Sequence, residues 1–511
     1  MSLKTDTKSL RLPDIFNPIY ELSDTGCLNF KMLLDGSWVA KPERVEVRSP
    51  IDGSLVATIP SASTSEAERA VEAAYSNRNS IRIIPAVKKI EIFRLTRDLL
   101  LQNMETFVSI LALEAGKPRS NAQGEVKATA ERLKLTPEEY GKIRGEHIPG
   151  DWSDETIGTD ADVLREPLGV VLAISPFNYP LYITATKVIP ALLAGNSVIV
   201  KTSSKDPLSF LMFARLLESA GIPARCLNVI TGRGPIGEHL AAQEKISMLT
   251  FTGSTEVGRA LAKVAGLKTL HMELGGKGCA IVLKDADLDL AAKETVKGSL
   301  SYSGQRCDAV SRVFVERDVA ELFLKKVLAE VATYKMGDPR DPSVNFGPLI
   351  DHGAVERVHE LVTDAVKRGA KLHTGGKYEG NYYEPTVLDL VPMDARVMWE
   401  ETFGPVIPIG HVKDAQEAIE LANKSRFGLD SCVFTTNINL ARKVAKRLEE
   451  GEVTINAAPR HGVGYYPFGG NKDSGLGREG IGYSIEEMTR LKTIVYNWRP
   501  AKVWADLIKE D

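Results

Sequence analysis

Short apolar runs and longer amphipathic segments alternate along most of this chain. From Leu168 onwards, the runs LGVVLAIS, NSVIVK, LNVIT and ISMLTF have strand length, and segments with helical spacing such as YITATKVIPALLAG separate them. Apolar strands that alternate with helices predict βαβ units and a mainly parallel sheet. The series ends with KTLHME at Glu273, so this part of the chain predicts one doubly wound α/β domain.

A second alternation follows Glu273. The runs CAIVL, RVFVE, PVIPIG, SCVFT and EVTIN predict strands between helical segments, and therefore a second doubly wound α/β domain. Ahead of both series, Ser63 and Glu66 have capping-box spacing, which predicts the start of a helix. A longer helix is predicted over about residues 87–114, and Gly116 marks its end.

Two segments fit neither predicted domain. Residues 141–166 are rich in glycine and charged residues, and the tail from Thr489 contains LKTIVYNW, which alternates like an edge strand. An exposed edge strand can pair with another chain, because its backbone donors and acceptors are unused on one side.

Composition narrows the class of protein. A chain of 511 residues is too long for one hydrophobic core, so two or three domains are expected. The net charge of −3 predicts no general affinity for nucleic acid. No apolar run is long enough to span a membrane, and the polar N-terminus lacks the apolar core of a secretory signal. Five scattered cysteines without CxxC spacing argue against disulfides and zinc, so a cytoplasmic location is predicted.

Cys307 is the first candidate for chemistry. It follows a flexible turn in SGQRCDAV, after a helix predicted to begin near Leu288. Cysteine is a strong nucleophile once its pKa is lowered. Taken alone, a cysteine is more often a buried structural residue.

Two further side chains stand where predicted strands end. Glu273 lies in HMELGGKG, and two glycines after it allow close approach of a ligand to the backbone. Asn178 lies in SPFNYP, directly after a strand, where ligands of open α/β sheets bind. A carboxylate can activate water and a fixed amide can stabilise an oxyanion. Taken alone, each is more often an ordinary strand-end or turn residue.

Two glycine-rich loops compete for the pyrophosphate of a dinucleotide. TGRGPIG, with Gly232, Gly234 and Gly237, matches GxGxxG after a strand but lacks the usual acidic partner after the next strand. FTGSTEVG, from Gly253 to Gly258, joins a strand to a helix N-terminus. The residues alone leave this choice open.

Together these motifs resemble the aldehyde dehydrogenase superfamily from about residue 50 to residue 485. SPFNYP, VIVKTS, FTGSTEVG, MELGGK, GQRC, EETFGP and PFGG with SGLGREG occur in the family's order and spacing. The resemblance implies that FTGSTEVG contacts the pyrophosphate and that TGRGPIG is mainly a close chain crossing. It also implies a fold of two doubly wound domains with a small bridging sheet.

The resemblance implies roles for individual residues. Cys307 matches the family's nucleophile, Glu273 its deacylation base, and Asn178 its oxyanion donor, together with the Cys307 backbone N–H. Contacts to the cofactor are implied for Ser175, Pro176, Phe177, Lys201, Ser203, Ser204, Gly237, Gly253, Ser254, Val257, Leu274, Glu401 and Phe403.

Two positions depart from the common family pattern. Asp308 follows the nucleophile where a small or apolar residue is usual, and Gly278 and Cys279 follow MELGGK. A negative charge beside a thiol disfavours the thiolate, so we expect Asp308 to raise the pKa of Cys307 or to alter substrate handling.

Within the superfamily, the chain resembles the branch of non-phosphorylating glyceraldehyde-3-phosphate dehydrogenases, through SPFNYP, SYSGQRC and the basic PRHG before YYPFGG. That likeness implies oxidation of D-glyceraldehyde 3-phosphate to 3-phosphoglycerate, without inorganic phosphate. Substrate contacts are implied for Asn178, Tyr179, Arg306, Arg460 and His461. Because arginine binds phosphate and carboxylate alike, another small anionic aldehyde such as succinate semialdehyde is the alternative. Acyl transfer to coenzyme A and a non-catalytic scaffold are further alternatives, against which Glu273 and the intact set of motifs argue.

The resemblance also implies the cofactor, the domain limits and the assembly. Ser204 stands where NAD-preferring relatives commonly carry a glutamate, so NADP is expected to be preferred while NAD is accepted. Residues 1–145 and 163–273 are expected to form the dinucleotide-binding domain and residues 274–485 the catalytic domain. Residues 146–162 and 486–511 are expected to bridge the subunits of a homotetramer.

Overall fold

Two large, mainly parallel sheets organise the computed structural model, which describes residues 11–24, 26–462 and 464–498. The polar N-terminal decapeptide and the last part of the predicted bridging tail, residues 499–511, lie outside the described residues. Helices cover both faces of each sheet, so the predicted pair of doubly wound α/β domains is confirmed.

The first large sheet has eight strands, of which the central five are parallel. In spatial order they are Gly475–Leu476, Thr269–Glu273, Met248–Thr252, Val170–Ile174, Ser197–Lys201, Leu227–Ile230, Met32–Leu34 and Ser37–Val39. The strands that follow Val170–Ile174 in the chain are first added on one side of it. Met248–Thr252 then pairs with its other side. This change of direction opens a crevice at the carboxyl ends of the two strands, where open α/β sheets bind ligands.

Alternating side chains of these strands enter two separate hydrophobic clusters, one on each face of the sheet. Val171 and Val198 belong to one cluster, whereas Leu172 and Ile199 belong to the other. This is the two-residue periodicity of a strand buried on both faces. The helices of this half are Thr64–Ser76, Arg78–Arg82, Ala86–Gln102, Met104–Ala115, Arg119–Leu135, Tyr182–Ala194, Leu208–Ser219, Gly234–Ala242, Thr255–Ala265 and Ile481–Glu487.

The second large sheet has seven strands and is parallel except at one edge. In spatial order they are Lys371–Thr374, Thr386–Asp389, Val406–Val412, Arg312–Glu316, Cys279–Val282, Asp430–Phe434 and Glu452–Ile455. Its helices are Leu288–Leu300, Arg317–Val331, His352–Lys367, Ala415–Asn423 and Ile438–Arg447. All five strands predicted for this domain are present.

A third, antiparallel sheet of three strands lies apart from both cores. It consists of Glu146–Pro149, Thr159–Pro167 and Thr489–Asn497, and the last two pair along their whole length. The tail strand predicted from LKTIVYNW is therefore confirmed. Thr159–Pro167 extends past residue 162, where the bridging segment was expected to end.

Smaller strands complete the described fold. Four of them form one sheet, Tyr20–Leu22, Leu28–Phe30, Leu55–Pro60 and Arg44–Arg48. Two further pairs are Tyr378–Glu379 with Tyr382–Tyr383, and Phe427–Gly428 with Asn471–Lys472. None of the helices in the described part of the chain has the length and apolarity needed to cross a membrane.

One helix prediction was wrong. Residues 87–114 form two helices, Ala86–Gln102 and Met104–Ala115, with a break at Asn103. The Asn103 side chain donates to the carbonyl of Leu99, a local bond that competes with helix continuation. The predicted capping box of Ser63 and Glu66 is present.

Candidate active site

The loop that carries Cys307 is held in a strained backbone conformation. Tyr302, Ser303 and Gly304 have φ angles of 51°, 56° and 72°, which is the left-handed region. Such geometry costs non-glycine residues of the order of 1 kcal/mol or more and persists only where the surroundings enforce it. Here the Tyr302 hydroxyl donates to the Ala115 carbonyl. A side chain at position 304 would collide with the Gly404 carbonyl, so glycine is required.

Gln305, two residues before Cys307, ties this loop to the rest of the second domain and to the Asn178 loop of the first. Its side-chain amide donates to the Pro348 carbonyl, and its side-chain oxygen accepts from the Ile350 N–H. Its backbone carbonyl accepts from the Asn178 side chain at 3.1 Å. The candidate oxyanion donor and the candidate nucleophile therefore lie beside each other, although 129 positions separate them in the sequence.

Cys307 lies at the meeting point of two cavities of about 300 and 250 Å³. The larger one is lined by Glu273, Tyr179 and other polar side chains from both domains. The smaller one is lined by Pro176, Phe177, Asn178, Thr252, Gly253, Ser254, Leu274, Gly275, Cys307, Glu401 and Phe403. A thiol shared by two cavities can contact two different molecules at once.

The thiol of Cys307 lies in an unfavourable electrostatic environment for ionisation. Burial raises its pKa well above the usual value, and the negative charges of Asp308, Asp430 and Glu273 raise it further. The direction agrees with the expectation for Asp308, and its effect on the reactivity of the thiol stays a prediction.

Glu273 ends its strand inside the larger cavity and is almost completely buried. Burial raises the pKa of its carboxyl group, while the neighbouring His271 opposes that shift. His271 Nε2 lies 3.2 Å from Glu273 Oε1. A carboxylate with a raised pKa beside a cavity is suited to take a proton from water.

The loop of Asn178 is fixed from behind by a buried ion pair. Lys117 Nζ contacts the carboxylate of Glu125 and also donates to the Asn178 carbonyl at 2.7 Å. Glu125 in turn accepts from the backbone N–H groups of Leu181 and Tyr182, at 3.0 Å each. Both charged side chains are fully buried, so removal of either would leave an uncompensated charge.

The smaller cavity has the features of a dinucleotide site. Ser254 caps the helix Thr255–Ala265, whose N-terminus follows Gly253 at the sheet's change of direction. Glu401 accepts from the Gly276 N–H at 3.1 Å, and a side chain at Gly275 would lie 2.9 Å from the Glu401 carboxylate. Free backbone N–H groups at a helix N-terminus favour a pyrophosphate.

The expected cofactor residues do not all lie in one cavity. Pro176, Phe177, Gly253, Ser254, Leu274, Glu401 and Phe403 line the smaller cavity beside Cys307. Ser204 lines a different cavity of about 800 Å³, together with Lys205 and Arg233. The remaining ones, Ser175, Lys201, Ser203, Gly237 and Val257, line neither cavity.

Lys201 is buried at the end of its strand. Its ammonium group donates to the Thr202 carbonyl at 2.7 Å, and burial lowers its pKa to about 8. A Cβ added at Gly237 would lie in ordinary van der Waals contact with the Ile174 and Lys201 side chains, so this part of TGRGPIG lies close to two strands of the first sheet.

Four of the five expected substrate residues converge on the larger cavity, whereas Asn178 lines the smaller one. Tyr179, Arg306, Arg460 and His461 line the larger cavity together with Cys307. Two of the cations already have carboxylate partners. The Arg306 guanidinium donates twice to Asp308, at 3.0 and 2.6 Å, and His461 Nε2 lies 3.0 Å from the Glu479 carboxylate.

Several residues of this site gave no sequence signal. Glu479 lies beside Lys187 and His461. Burial alone would raise the pKa of Glu479, but these two basic side chains lower it well below the usual value. Glu487 binds His271 from the last turn of Ile481–Glu487. His271 alone was predictable, because side chains two residues apart on a strand share a face with Glu273.

The unusual Gly278 has a packing explanation. A side chain there would lie 2.6 Å from the Asp430 carbonyl, and the next residue, Cys279, is buried with its N–H donating to the Ser431 hydroxyl. Among the described residues, no group of three or more His, Cys, Asp and Glu side chains is arranged to hold a metal ion.

Comparison with known proteins places the chain in a family. The profile of the aldehyde dehydrogenase family matches residues 38–494. An NADP-dependent glyceraldehyde-3-phosphate dehydrogenase of Streptococcus equinus is 40% identical over 470 residues, which are 92% of this chain and 98% of the relative. A lactaldehyde dehydrogenase of Methanococcus aeolicus is 37% identical over 471 residues, 91% of this chain and 100% of the relative.

A solved structure is similar to the chain over nearly its whole length. The NADP-dependent glyceraldehyde-3-phosphate dehydrogenase of Bacillus halodurans, complexed with NADP, has a TM-score of 0.90 and 40% identity, covering 92% of this chain and 99% of that one. The chain belongs to the aldehyde dehydrogenase family. It is an enzyme that oxidises aldehydes.

Proposed function

We propose that this enzyme oxidises D-glyceraldehyde 3-phosphate to 3-phosphoglycerate with NADP, through a thioester on Cys307. The observation that carries the proposal is the convergence of Tyr179, Arg306 and His461 on the cavity that contains Cys307 and Glu273. The 40% identity to enzymes described as NADP-dependent glyceraldehyde-3-phosphate dehydrogenases supports the same substrate and cofactor.

The smaller cavity would take the nicotinamide and pyrophosphate parts of a dinucleotide. Glu401 and Phe403 would hold the nicotinamide half, and the N-terminus of Thr255–Ala265 would hold the pyrophosphate. Ser204, Lys205 and Arg233 share the cavity of about 800 Å³ and would surround the adenosine end. Ser204 presents no negative charge to a 2′-phosphate, which favours NADP. When bound, the dinucleotide supplies the hydride acceptor.

The chain's own residues perform the other steps. The ionised thiol of Cys307 adds to the aldehyde carbon, and the Asn178 side chain and the Cys307 backbone N–H hold the oxyanion. The thioester that follows oxidation is attacked by water from which Glu273 takes a proton. The acid is released, and Cys307 is regenerated. Because this water completes the reaction, inorganic phosphate has no part in it.

A second candidate substrate has a specific observation in its favour. Asp308 accepts from the Nε and one terminal nitrogen of Arg306 and so neutralises the charge with which Arg306 would attract a phosphate. A pocket whose arginine is neutralised suits a less charged aldehyde. Lactaldehyde, the substrate in the name of the Methanococcus aeolicus relative, is a three-carbon 2-hydroxyaldehyde like glyceraldehyde 3-phosphate but carries no anionic group.

A substrate panel decides between the two. We expect the highest kcat/KM for D-glyceraldehyde 3-phosphate with NADP, at a rate unchanged by inorganic phosphate. Arg306→Lys and Arg306→Ala serve as a matched pair, because only the first keeps the positive charge. A higher kcat/KM for lactaldehyde, unchanged in Arg306→Ala, would instead favour the second candidate. Succinate semialdehyde belongs in the same panel as the anionic alternative.

A further inference from the structure

Three ionisable side chains form a row that runs from the reaction cavity towards solvent. Glu273 Oε1 lies 3.2 Å from His271 Nε2, and His271 Nδ1 lies 2.6 Å from Glu487 Oε2. Glu273 and His271 are almost completely buried, with 6% and 4% of their side chains exposed, whereas 29% of the Glu487 side chain is exposed. His271 thus lies between two carboxylates: it is hydrogen-bonded to Glu487, whereas its contact with Glu273 is an ion-pair distance without hydrogen-bond geometry.

Two elements of the fold position these three side chains. His271 and Glu273 are two residues apart on the strand Thr269–Glu273 and therefore point to the same face. Glu487 comes from a different element, the helix Ile481–Glu487, and its Oε1 also accepts from the Arg478 N–H at 2.8 Å. A side chain at Gly477 would lie 2.8 Å from His271 Nδ1, so glycine leaves room for the pair.

We propose that His271, held by Glu487, is a positioning residue that fixes the Glu273 carboxylate and keeps it ionised as the general base of thioester hydrolysis. The proposal rests on the role of Glu273 given above. A carboxylate buried in this cavity is disfavoured by desolvation, and a cation fixed beside it compensates. Burial alone would lower the pKa of His271, but the two carboxylates outweigh it and raise that pKa to about 9.

Other charged groups near the row do not replace His271. Lys187, on the helix Tyr182–Ala194, lowers the pKa of Glu273 less than His271 does, and it opposes protonation of His271. Lys187 has its own partner in Glu479, at 3.6 Å. Glu479 acts in the opposite direction, because its negative charge raises the pKa of Glu273. His461 also interacts with Glu273 but is paired with Glu479 at 3.0 Å, so His271 is the strongest of the groups that lower the pKa of Glu273.

The test separates formation of the thioester from its hydrolysis in single-turnover experiments over a range of pH. In His271→Gln, loss of the cation raises the pKa of Glu273, so the acid limb of the hydrolysis rate should move to higher pH by about one to two units. The burst of reduced cofactor should keep its amplitude, which damage to the fold would reduce. Glu487→Gln should shift the limb in the same direction by less.

The neighbouring Glu486→Gln is the matched control, because Glu486 lies on the same helix and faces Lys142 instead, at 3.6 Å. It should leave the pH profile unchanged. A parental pH profile in His271→Gln, or in Glu487→Gln if the first variant does not fold, would overturn the proposal. Glu273→Gln is measured alongside. Normal hydrolysis in Glu273→Gln would overturn the role of Glu273 itself. If hydrolysis is blocked in Glu273→Gln but the pH profile is unshifted in His271→Gln and Glu487→Gln, only the role of His271 is overturned.

Discussion

Asp308 binds the guanidinium of Arg306 through two hydrogen bonds, at 3.0 and 2.6 Å, from the opposite side of Cys307 in the sequence. Both side chains are nearly buried, with 11% of the Arg306 side chain and 7% of the Asp308 side chain exposed. Asp308 also accepts from the His461 backbone N–H at 3.2 Å, so one carboxylate organises both the nucleophile loop and the segment that carries the basic residues.

The first prediction concerns the reactivity of the thiol. Asp308→Asn removes a negative charge that raises the pKa of Cys307, so the thiolate should form at lower pH. The midpoint of the pH profile for alkylation by iodoacetamide should fall by about one unit. Asp394→Asn is a matched control, since Asp394 also pairs with an arginine, Arg368, but on the surface. An unchanged midpoint in Asp308→Asn would contradict the electrostatic role of Asp308.

The second prediction assigns the two chemical steps. Cys307→Ser should abolish formation of the thioester, and Glu273→Gln should leave it intact while slowing hydrolysis roughly 10²- to 10⁴-fold. Rapid-mixing measurements should show a stoichiometric burst of NADPH in the Glu273 variant and none in the Cys307 variant. Steady turnover near the parental rate in either variant would show that the roles are assigned wrongly.

The third prediction concerns the cofactor. Ser204→Glu places a carboxylate in the cavity that also contains Lys205 and Arg233. Two unit charges about 4 Å apart near a protein surface repel by roughly 4 kcal/mol, so NADP should lose at least about tenfold in kcat/KM relative to NAD. Ser204→Gln, similar in size but uncharged, is the control for bulk. Equal effects of both variants would mean that charge at position 204 does not select the cofactor.

The fourth prediction concerns assembly. On the edge strand Thr489–Asn497 of the three-stranded sheet, Leu491 and Val495 are 62% and 64% exposed, and an apolar edge strand is a ready site for pairing with another chain. We therefore expect subunits to associate through this sheet into a homotetramer, measurable by analytical ultracentrifugation. The double variant Leu491→Lys with Val495→Lys should dissociate it. Leu267→Lys, at a still more exposed position outside this sheet, should not. A monomeric parent at micromolar concentration would refute the expectation.

The local patterns of the sequence were enough for most of the fold. Period-two and helical spacing predicted both sheets, because burial on one or two faces imposes those periods directly on the order of residues. The prediction of one continuous helix over residues 87–114 was wrong because the apolar periodicity does not show where a helix breaks. The helix breaks because Asn103 bonds to its own backbone, a choice that the apolar periodicity around it does not reveal.

The sequence by itself also determined the class of chemistry, since the motifs around Cys307, Glu273 and Asn178 are local strings in a fixed order. Only the tertiary structure decided what surrounds them. Glu487 lies 214 positions after Glu273 in the chain, and no local rule joins the two through His271. The bond between Arg306 and Asp308 was equally hidden, because neighbouring side chains in a loop point in directions that only the folded backbone fixes. The energy of a charge pair depends on the distance between the two charges, and for side chains from different helices and strands only the folded structure sets that distance.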